Sequence, residues 1–336
     1  MDDVDDLDDL DQLERNTRAM DSRMAFEPPR RLVRALGETQ RNGSNGSGGS
    51  DGTGEWLDKL PVLAQQMVDL RELTVERVQA PGGRSSLVLL VRQADGTPAV
   101  LKLAPPRARP ESERAALAHW DGRGAVQLLN PSDAQADTHG VLLLERLRPD
   151  LSVRSLPEAK ALLEAAGTLR RLWVEPPATH VFETVAERTG RQAEAMRAAA
   201  GADTEVAPLV DAALAAREEL LADPPEERLL HGTFRQSKVL AGERMPWLAV
   251  GPDPVVGECA FDLARLVRDR VEDLIASPSG SSITRRRVKR LAESLEVDQE
   301  RLRGWTLFRA VESGVRAGRV GRPQDAELLL EFAGWL

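Results

Sequence analysis

The stretch LLHGTFRQSKVL, residues 229–240, has the composition of a short loop between two apolar strands. It contains His231 and Gly232, followed by a hydroxyl at Thr233 and an ammonium at Lys238. A loop of this kind abstracts protons or binds a metal ion when it carries carboxylates. A threonine cannot accept a proton at neutral pH, whereas an ammonium repels a metal ion and can pair with a phosphate. The stretch therefore has the outline of a catalytic loop without its reactive groups.

The elements that must position this loop begin with short strands. Apolar, β-type runs occur at residues 73–80, 85–93 and 98–104, separated by the turn signals PGG and ADGT. This order predicts an antiparallel meander. A helical pattern at residues 111–122 and an apolar strand at residues 140–147 follow.

Helical patterns dominate the rest of the chain. They cover residues 157–174, 184–200, 205–222, 259–276, 284–296, 298–318 and 325–335, and only the β-like stretch 228–250 interrupts them. Strands first and helices later predict an α+β fold of two lobes. We expect a small antiparallel N-lobe at residues 56–148 and a large helical C-lobe at residues 149–336. A ligand, either a small molecule or a nucleotide, is expected in the cleft between two such lobes.

The first part of the sequence differs from this body. Residues 1–12 contain seven Asp, and residues 42–55 are rich in Gly and Ser. We interpret residues 1–41 as a disordered acidic tail and residues 42–55 as a flexible linker. Apolar residues recur every three positions in the tail, at Val4, Leu7, Leu10 and Leu13. The tail is thus either solvated or a short docking helix for a protein partner.

Composition excludes several classes of protein. The net charge is −9, and the acids are interleaved with the basic residues of the body, so no nucleic-acid partner is expected. The single cysteine, Cys259, cannot form an internal disulfide. The sequence contains neither a run of about 18 apolar residues nor a signal peptide, so we expect a cytoplasmic protein without membrane contact.

Several segments taken in order resemble the aminoglycoside phosphotransferase family, in particular its streptomycin 6-phosphotransferase and hydroxyurea phosphotransferase branch. The segments are GGRSSLVLLVRQADGTPAVLKLAPP, ERAALAHWDGRGAVQLL, VLLLERL, LLHGTFRQSKVL, WLAVGPDPVVGECAFDLARLVRDR and RLRGWTLFRAVESG. They span residues 82–315, which is most of the body. The resemblance implies a protein-kinase-like two-lobe fold.

The resemblance also implies nucleotide-binding residues. Lys102 corresponds to the strand lysine that binds the α- and β-phosphates, and Glu113 corresponds to the helix glutamate that positions this lysine. The turn around Ser85 and Ser86 would bring backbone N–H groups to the phosphates. Phosphoryl transfer needs such positioning together with charge stabilisation.

The catalytic half of the family pattern is degenerate. The family loop reads His-Gly-Asp, with a second His and an Asn further on, and it is followed by a metal-binding Asp before a proline. Here His231 is retained, but Thr233 replaces the base and Arg235 replaces the second His. Lys238 and Gly251 occupy the positions of the two metal ligands, so we expect no metal site. General-base catalysis contributes about 10²–10⁴ in rate, and this loss predicts an inactive enzyme.

Two features qualify this expectation. Asp253 and Glu258 follow the missing aspartate and could rescue metal binding, although Asp253 would have to move by roughly 6–7 Å at strand rise. Asp262 resembles the helix aspartate that braces the family's catalytic loop, and the alternative for it is a helix-capping role.

Three functions remain open from the sequence. The main hypothesis is a pseudokinase that acts as a binding or regulatory module and takes ATP or ADP without Mg²⁺. The alternative is an ATP-dependent small-molecule O-phosphotransferase with a rearranged site and an alcohol group as acceptor. A third interpretation is a scaffold that binds no nucleotide.

Overall fold

The computed structural model describes residues 26–43, 52–129, 140–201 and 205–336, and the chain divides into two compact units. The first unit contains the described residues up to Glu111 together with Leu128–Arg146. The second contains Ser112–Gln127 and Leu147–Leu336. The sequence assigned residues 112–127 to the N-lobe instead. They group with the second unit because Trp120 is fully buried there and donates its indole N–H to the Leu172 carbonyl at 2.8 Å.

An antiparallel five-stranded sheet forms the first unit, as the meander predicted. Its strands run in the order β1-β2-β3-β5-β4. Apolar side chains of β2 and β3 alternate toward one core, with Leu89 opposite Leu101 and both fully buried. Gly96, at φ +84°, closes the hairpin between these two strands. The strands are β1 Thr74–Val78, β2 Leu87–Arg92, β3 Pro98–Leu103, β4 Leu128–Leu129 and β5 Val141–Glu145.

Two helices cover the core of the first unit, α1 Arg30–Gly43 and α2 Thr53–Leu70. Leu36 of α1 is buried in the same apolar cluster as Leu60 of α2 and the sheet. The end of the predicted tail, from residue 26 onward, therefore packs on the first unit, whereas residues 1–25 lie outside the described residues. Helix α2 also starts within the predicted linker.

A proline, Pro61, lies inside helix α2, although a proline usually kinks or begins a helix. Helix α2 continues through this proline. Leu60 before it and Ala64 after it are both fully buried in the core. Burial on both sides of the ring outweighs the backbone hydrogen bond that a proline removes.

Helices make up most of the second unit. The long helix α10, Gln299–Arg319, lies at its centre, where the Trp305 ring packs edge-on against Phe308 and against Phe261 of α7, Cys259–Val267. The helices are α3 Pro110–Trp120, α4 Glu158–Leu172, α5 Val185–Ala200, α6 Ala207–Ala222, α7 Cys259–Val267, α8 Val271–Ile275, α9 Gly280–Leu295, α10 Gln299–Arg319 and α11 Pro323–Ala333. No helix in the described parts of the chain is both long enough and apolar enough to cross a membrane.

Two small antiparallel sheets carry the loops of interest. Strands β6 Arg148–Ser152, β8 Val239–Ala241 and β9 Trp247–Ala249 form one sheet in the order β6-β8-β9. Strands β7 Arg228–Leu230 and β10 Val255–Gly257 form the other. The β-like stretch predicted at residues 228–250 is thus confirmed as three short strands.

One predicted helix, residues 259–276, is divided in the structure. Helix α7 ends at Val267, and α8 begins at Val271 after Arg270 adopts a left-handed φ of +58°. The Arg270 guanidinium donates to the carbonyls of Arg154 and Leu156. These contacts stabilise a break for which the sequence carries no glycine or proline signal.

Candidate functional site

The loop between β7 and β8 depends on a glycine at position 232. Gly232 has φ +75°, and a Cβ atom there would lie 1.9 Å from the Asp253 carbonyl oxygen. The opposing segment is fixed by the Asp253 backbone N–H, which donates to the His231 carbonyl at 3.0 Å. Only glycine allows the two backbones to approach this closely.

Asp262 binds the same loop from the first turn of α7. Its two carboxylate oxygens accept the backbone N–H groups of His231 at 2.8 Å and of Gly232 at 3.0 Å. The side chain is fully buried, and burial raises the pKa of Asp262, whereas the Arg309 charge and the two N–H groups oppose that rise. The structure places its carboxylate on the loop, where it fixes two consecutive peptide groups.

Arg309, on α10, joins the loop to the helical core. Its guanidinium donates to the carbonyls of Gly232 and Phe261, each at 2.7 Å. The same group lies 4.1 Å from the centre of the Phe261 ring, in cation–π geometry. Burial lowers the pKa of Arg309 well below its usual value, and the charge of Asp262 opposes that effect. Asp262 and Arg309, both buried, thus bind the backbone N–H and the carbonyl of Gly232, respectively.

The His231 ring has structural contacts on both nitrogens. Its Nε2 lies 3.2 Å from the Val250 carbonyl, and its Nδ1 accepts the Thr233 backbone N–H at 3.3 Å. Burial and the Lys238 charge lower the pKa of His231 well below its usual value. A neutral ring with Nε2–H as donor fits both contacts, so His231 has no free lone pair for proton abstraction.

The low pKa of His231 makes stability depend on pH. Unfolded His binds a proton below its usual pKa near 6.5, whereas folded His231 does not, so the free energy of unfolding falls as the pH drops from about 7 toward 5. We expect this residue to contribute a slope of up to about 1.4 kcal/mol per pH unit in that range. Urea unfolding of the wild type and of His231→Gln at several pH values measures it. Equal slopes in the two proteins would contradict the prediction.

The three positions at which the resemblance predicts substitutions meet at one ammonium. Lys238 Nζ donates to Thr233 Oγ1 and to the Gly251 carbonyl, in both cases at 2.6 Å. Thr233 Oγ1 also donates to the Gly251 carbonyl at 3.3 Å. A Cβ atom on Gly251 would have only the end of Lys238 within 4 Å, with Nζ at 3.8 Å. Thr233, at the predicted position of the base, and Lys238 and Gly251, at the predicted positions of the metal ligands, thus form one hydrogen-bonded group.

This arrangement does not fit Mg²⁺. The ion requires oxygen ligands in near-octahedral geometry and is usually bound through carboxylates. Here a hydroxyl and a carbonyl are the available oxygens, and an ammonium already binds both of them. The described residues contain no group of three or more His, Cys, Asp or Glu side chains that could coordinate a metal.

Each carboxylate considered for rescue is in an ion pair. Asp253 Oδ1 accepts from Arg188 at 3.0 Å, and Arg188 is itself buried. Glu258 is buried and accepts both Nε and Nη2 of Arg301 at 2.7 Å, and it also accepts the indole N–H of Trp305. Moving either carboxylate to the Gly251 position would leave a buried or half-buried guanidinium without its partner.

The predicted nucleotide-binding residues fall in different units. Lys102 lies half-buried on β3, opposite Val88 and Leu142. Ser85 is exposed and Ser86 is buried at the start of β2, in the same unit as Lys102. Glu113 is buried on α3, in the second unit. Their roles toward a nucleotide remain predictions.

The turn before β2 is also tied to α1. Arg84 within it donates to Glu38 at 2.6 Å, and Glu38 is buried. Helix α1 therefore contacts the turn that the resemblance assigns to phosphate binding.

Comparison with known proteins decides the family. The sequence profile of a family described as aminoglycoside/hydroxyurea antibiotic resistance kinase matches residues 71–321. The chain belongs to this family. The match includes the His231–Lys238 loop and Gly251, and it confirms the family assignment predicted from the sequence.

Individual relatives of this kinase family match over most of their length. The chain is 35% identical over 263 residues to streptomycin 6-kinase from Streptomyces glaucescens, covering 77% of this chain and 83% of that protein. It is 36% identical over 309 residues to hydroxyurea phosphotransferase from Kitasatospora aureofaciens, covering 85% and 83%.

Solved structures of the aminoglycoside phosphotransferases confirm the fold. A crystal structure of a thermostable mutant of aminoglycoside phosphotransferase APH(4)-Ia, in ternary complex with ADP and hygromycin B, superposes with a TM-score of 0.55 at 15% identity. The superposition covers 80% of this chain and 96% of that one. The two-lobe, protein-kinase-like α+β fold predicted from the sequence is therefore correct.

Several residues that shape the loop of this family member escaped the sequence analysis. Arg188, Arg301 and Arg309 contact the loop or the carboxylates beside it from helices α5 and α10. The chain has many arginines in helical patterns, and no spacing distinguishes these three. A hydrogen-bond partner distant in sequence is visible only once the helices are packed.

Proposed function

We propose that this chain is a pseudokinase of the aminoglycoside phosphotransferase family, a binding or regulatory module that does not transfer a phosphoryl group by the family's route. One observation carries the proposal: the Lys238 ammonium binds the Thr233 hydroxyl and the Gly251 carbonyl at 2.6 Å each. The position of the general base, and the positions of both metal ligands, are thereby combined into one cationic group.

The chemistry of this group supports binding rather than transfer. A hydroxyl that accepts from an ammonium has an even lower tendency to accept a proton from a substrate alcohol. The fixed positive charge can pair with an anionic phosphate in place of a metal ion. We therefore propose ATP or ADP without Mg²⁺ as the ligand, with Lys102, Glu113, Ser85 and Ser86 as its further contacts.

A partner protein is the second part of this proposal. The seven Asp among residues 1–12 would form the docking element. Helix α1, which follows this segment, contacts the Arg84 turn through Glu38. A partner that binds the acidic segment could thereby influence the turn assigned to phosphate.

The second candidate is an ATP-dependent small-molecule O-phosphotransferase with an alcohol group as acceptor. The relatives favour it, because proteins named streptomycin 6-kinase and hydroxyurea phosphotransferase are 35% and 36% identical to this chain. It requires a rearranged site in which a carboxylate reaches the metal position.

Calorimetry with ATP and with ADP, each in Mg²⁺ and in EDTA, separates the two candidates. The pseudokinase should bind nucleotide equally well in both media, because Lys238 supplies the charge that a metal would supply. In Mg²⁺ with streptomycin or hydroxyurea it should release no ADP above background. The transferase should release ADP only with Mg²⁺.

Two variants complete this experiment. Lys102→Ala should weaken nucleotide binding, whereas Lys289→Ala, an exposed lysine on α9, is the matched control and should not. Mg²⁺-dependent ADP release that Lys102→Ala abolishes would overturn the first candidate in favour of the second. Absence of nucleotide binding in every medium would leave the fold as a scaffold.

A further inference from the structure

Four guanidinium groups and two carboxylates interact electrostatically around the end of α7. We call them the arginine cluster; its members are Arg235, Arg265, Arg268, Arg316, Asp269 and Glu312. The backbone N–H of Gln236, next to Arg235, donates to Asp269 at 2.6 Å and links the loop to this end of α7. All six residues belong to the second unit. The cluster has an excess of two positive charges.

Arg265 is the cation of this cluster that the described residues leave unbonded. It donates no hydrogen bond and forms no ion pair within 4 Å in the described parts of the chain. The side chain is half-buried, and its nitrogens keep contact with solvent. Burial and the charges of Arg235 and Arg316 lower the pKa of Arg265 to about 10.

Within the described residues Arg268 makes one hydrogen bond, and the acceptor is an uncharged carbonyl. It donates to the Arg309 carbonyl at 3.0 Å. Burial and the Arg265 charge lower the pKa of Arg268 to about 9. Two carboxylates, Glu312 and Asp269, oppose this lowering of the pKa in both arginines. Glu312 is already paired with Arg316 at 2.8 Å, and neither carboxylate forms an ion pair with Arg265 or Arg268 in the described parts of the chain.

This charge excess is unfavourable without an anion. Half-buried like charges repel each other more strongly than they do in water. The carboxyl-terminal end of α7 supplies only about half of one negative charge. A bound oxyanion would accept charge-assisted hydrogen bonds from Arg265 and Arg268, which have no acceptor and one carbonyl acceptor, respectively, among the described residues.

We propose that the arginine cluster is a binding site for a small molecule that carries a carboxylate or phosphate group, with Arg265 and Arg268 as its main ligands. The site lies beside the Thr233–Lys238 loop because Arg235 belongs to both. A ligand with a net positive charge would be repelled from it. The proposal is independent of nucleotide binding and of phosphoryl transfer.

Thermal unfolding of the full-length protein without nucleotide tests this site. Sodium phosphate, sodium citrate and sodium chloride are compared at equal ionic strength, so that screening is the same in each. We expect a saturable rise in Tm with phosphate or citrate, on the order of 5 °C at 100 times the Kd, and none with chloride. The stronger of the two oxyanions identifies the functional group as phosphate or carboxylate.

Matched variants assign the effect to the cluster. Arg265→Gln should lose the rise in Tm, and because it removes no hydrogen bond, its Tm in chloride should be no lower than that of the wild type. Arg286→Gln, an exposed arginine on α9, should retain the rise. Arg265→Lys, which keeps the charge, should retain part of it.

Three results would overturn the proposal. The first is an equal Tm in chloride and in both oxyanions for the wild type, or a rise without saturation, which would be a general salt effect. The second is an unchanged rise in Arg265→Gln. The third is loss of the rise in Lys238→Met with its retention in Arg265→Gln, which would place the anion on the loop ammonium. Calorimetric titration of the wild type with phosphate decides the matter if Arg265→Gln does not fold.

Discussion

Replacing Thr233 by Asp, Lys238 by Asn and Gly251 by Asp together should give the chain a Mg²⁺-dependent ATP turnover, which we do not expect of the native sequence under the proposed function. The first change supplies a general base, which contributes about 10²–10⁴ in rate. The other two supply oxygen ligands in place of an ammonium and a hydrogen atom. The scaffold below them is present, since Asp262 already binds the backbone of His231 and Gly232.

The single variants should not reproduce this gain. An aspartate at position 251 would start from a Cβ that lies 3.8 Å from Lys238 Nζ. Its carboxylate would pair with that ammonium and remain unavailable to a metal ion. In the variant Lys238→Asn without Gly251→Asp, the metal ion would lack one carboxylate ligand. Groups that act as a unit do not contribute additively, so the activity should appear only in the triple variant.

The measurement is ADP release with streptomycin or hydroxyurea as acceptor and with water alone, each in Mg²⁺ and in EDTA. The Mg²⁺ dependence of ATP affinity gives a second readout that needs no acceptor. The triple variant carrying Lys102→Ala serves as the inactive control. Turnover by the native protein that Lys238→Asn abolishes would show that the ammonium is catalytic and would refute this interpretation.

The place of the loop in the chain and the fold of the family were predictable from the sequence. The order of strands, helices and the His-Gly pair is a local and sequential signal, and the structure reproduces it. The direct bonds from Lys238 to Thr233 and Gly251 were not predictable, because they depend on how β9 and the segment after it approach the loop. From the sequence, Thr233, Lys238 and Gly251 are three separate predictions, whereas the structure joins them in one hydrogen-bonded group.

Tertiary packing accounts for the other differences. Leu36 of α1 is buried in the same apolar cluster as Leu60 of α2, although composition assigned the two residues to a tail and a separate body. Arg309 reaches the Gly232 carbonyl from a helix 77 positions away. Neither contact produces a periodic pattern in the sequence, since both depend on which faces of the helices meet other elements after folding.

Gly232→Ala should destabilise the protein far more than Gly251→Ala, although both glycines have positive φ. At Gly232, with φ +75°, the new Cβ would lie 1.9 Å from the backbone oxygen of Asp253, so two backbone segments must separate. At Gly251, with φ +62°, only the flexible end of Lys238 lies within 4 Å. The left-handed conformation alone costs a non-glycine residue about 1–2 kcal/mol.

We therefore expect a loss of about 1–2 kcal/mol for Gly251→Ala and of more than about 4 kcal/mol for Gly232→Ala, a value that indicates a specific steric mechanism. Thermal unfolding should show decreases in Tm of a few degrees and of more than about 10 °C, respectively. Urea unfolding with an unchanged m-value checks that each variant unfolds from the same compact state. Equal losses in the two variants would mean that backbone conformation alone sets the cost, and that the Gly232 peptide and the Asp253 carbonyl do not approach each other closely. In that case the loop would not be fixed between β10 and α7, and the shared position of Thr233, Lys238 and Gly251 would have to be reconsidered.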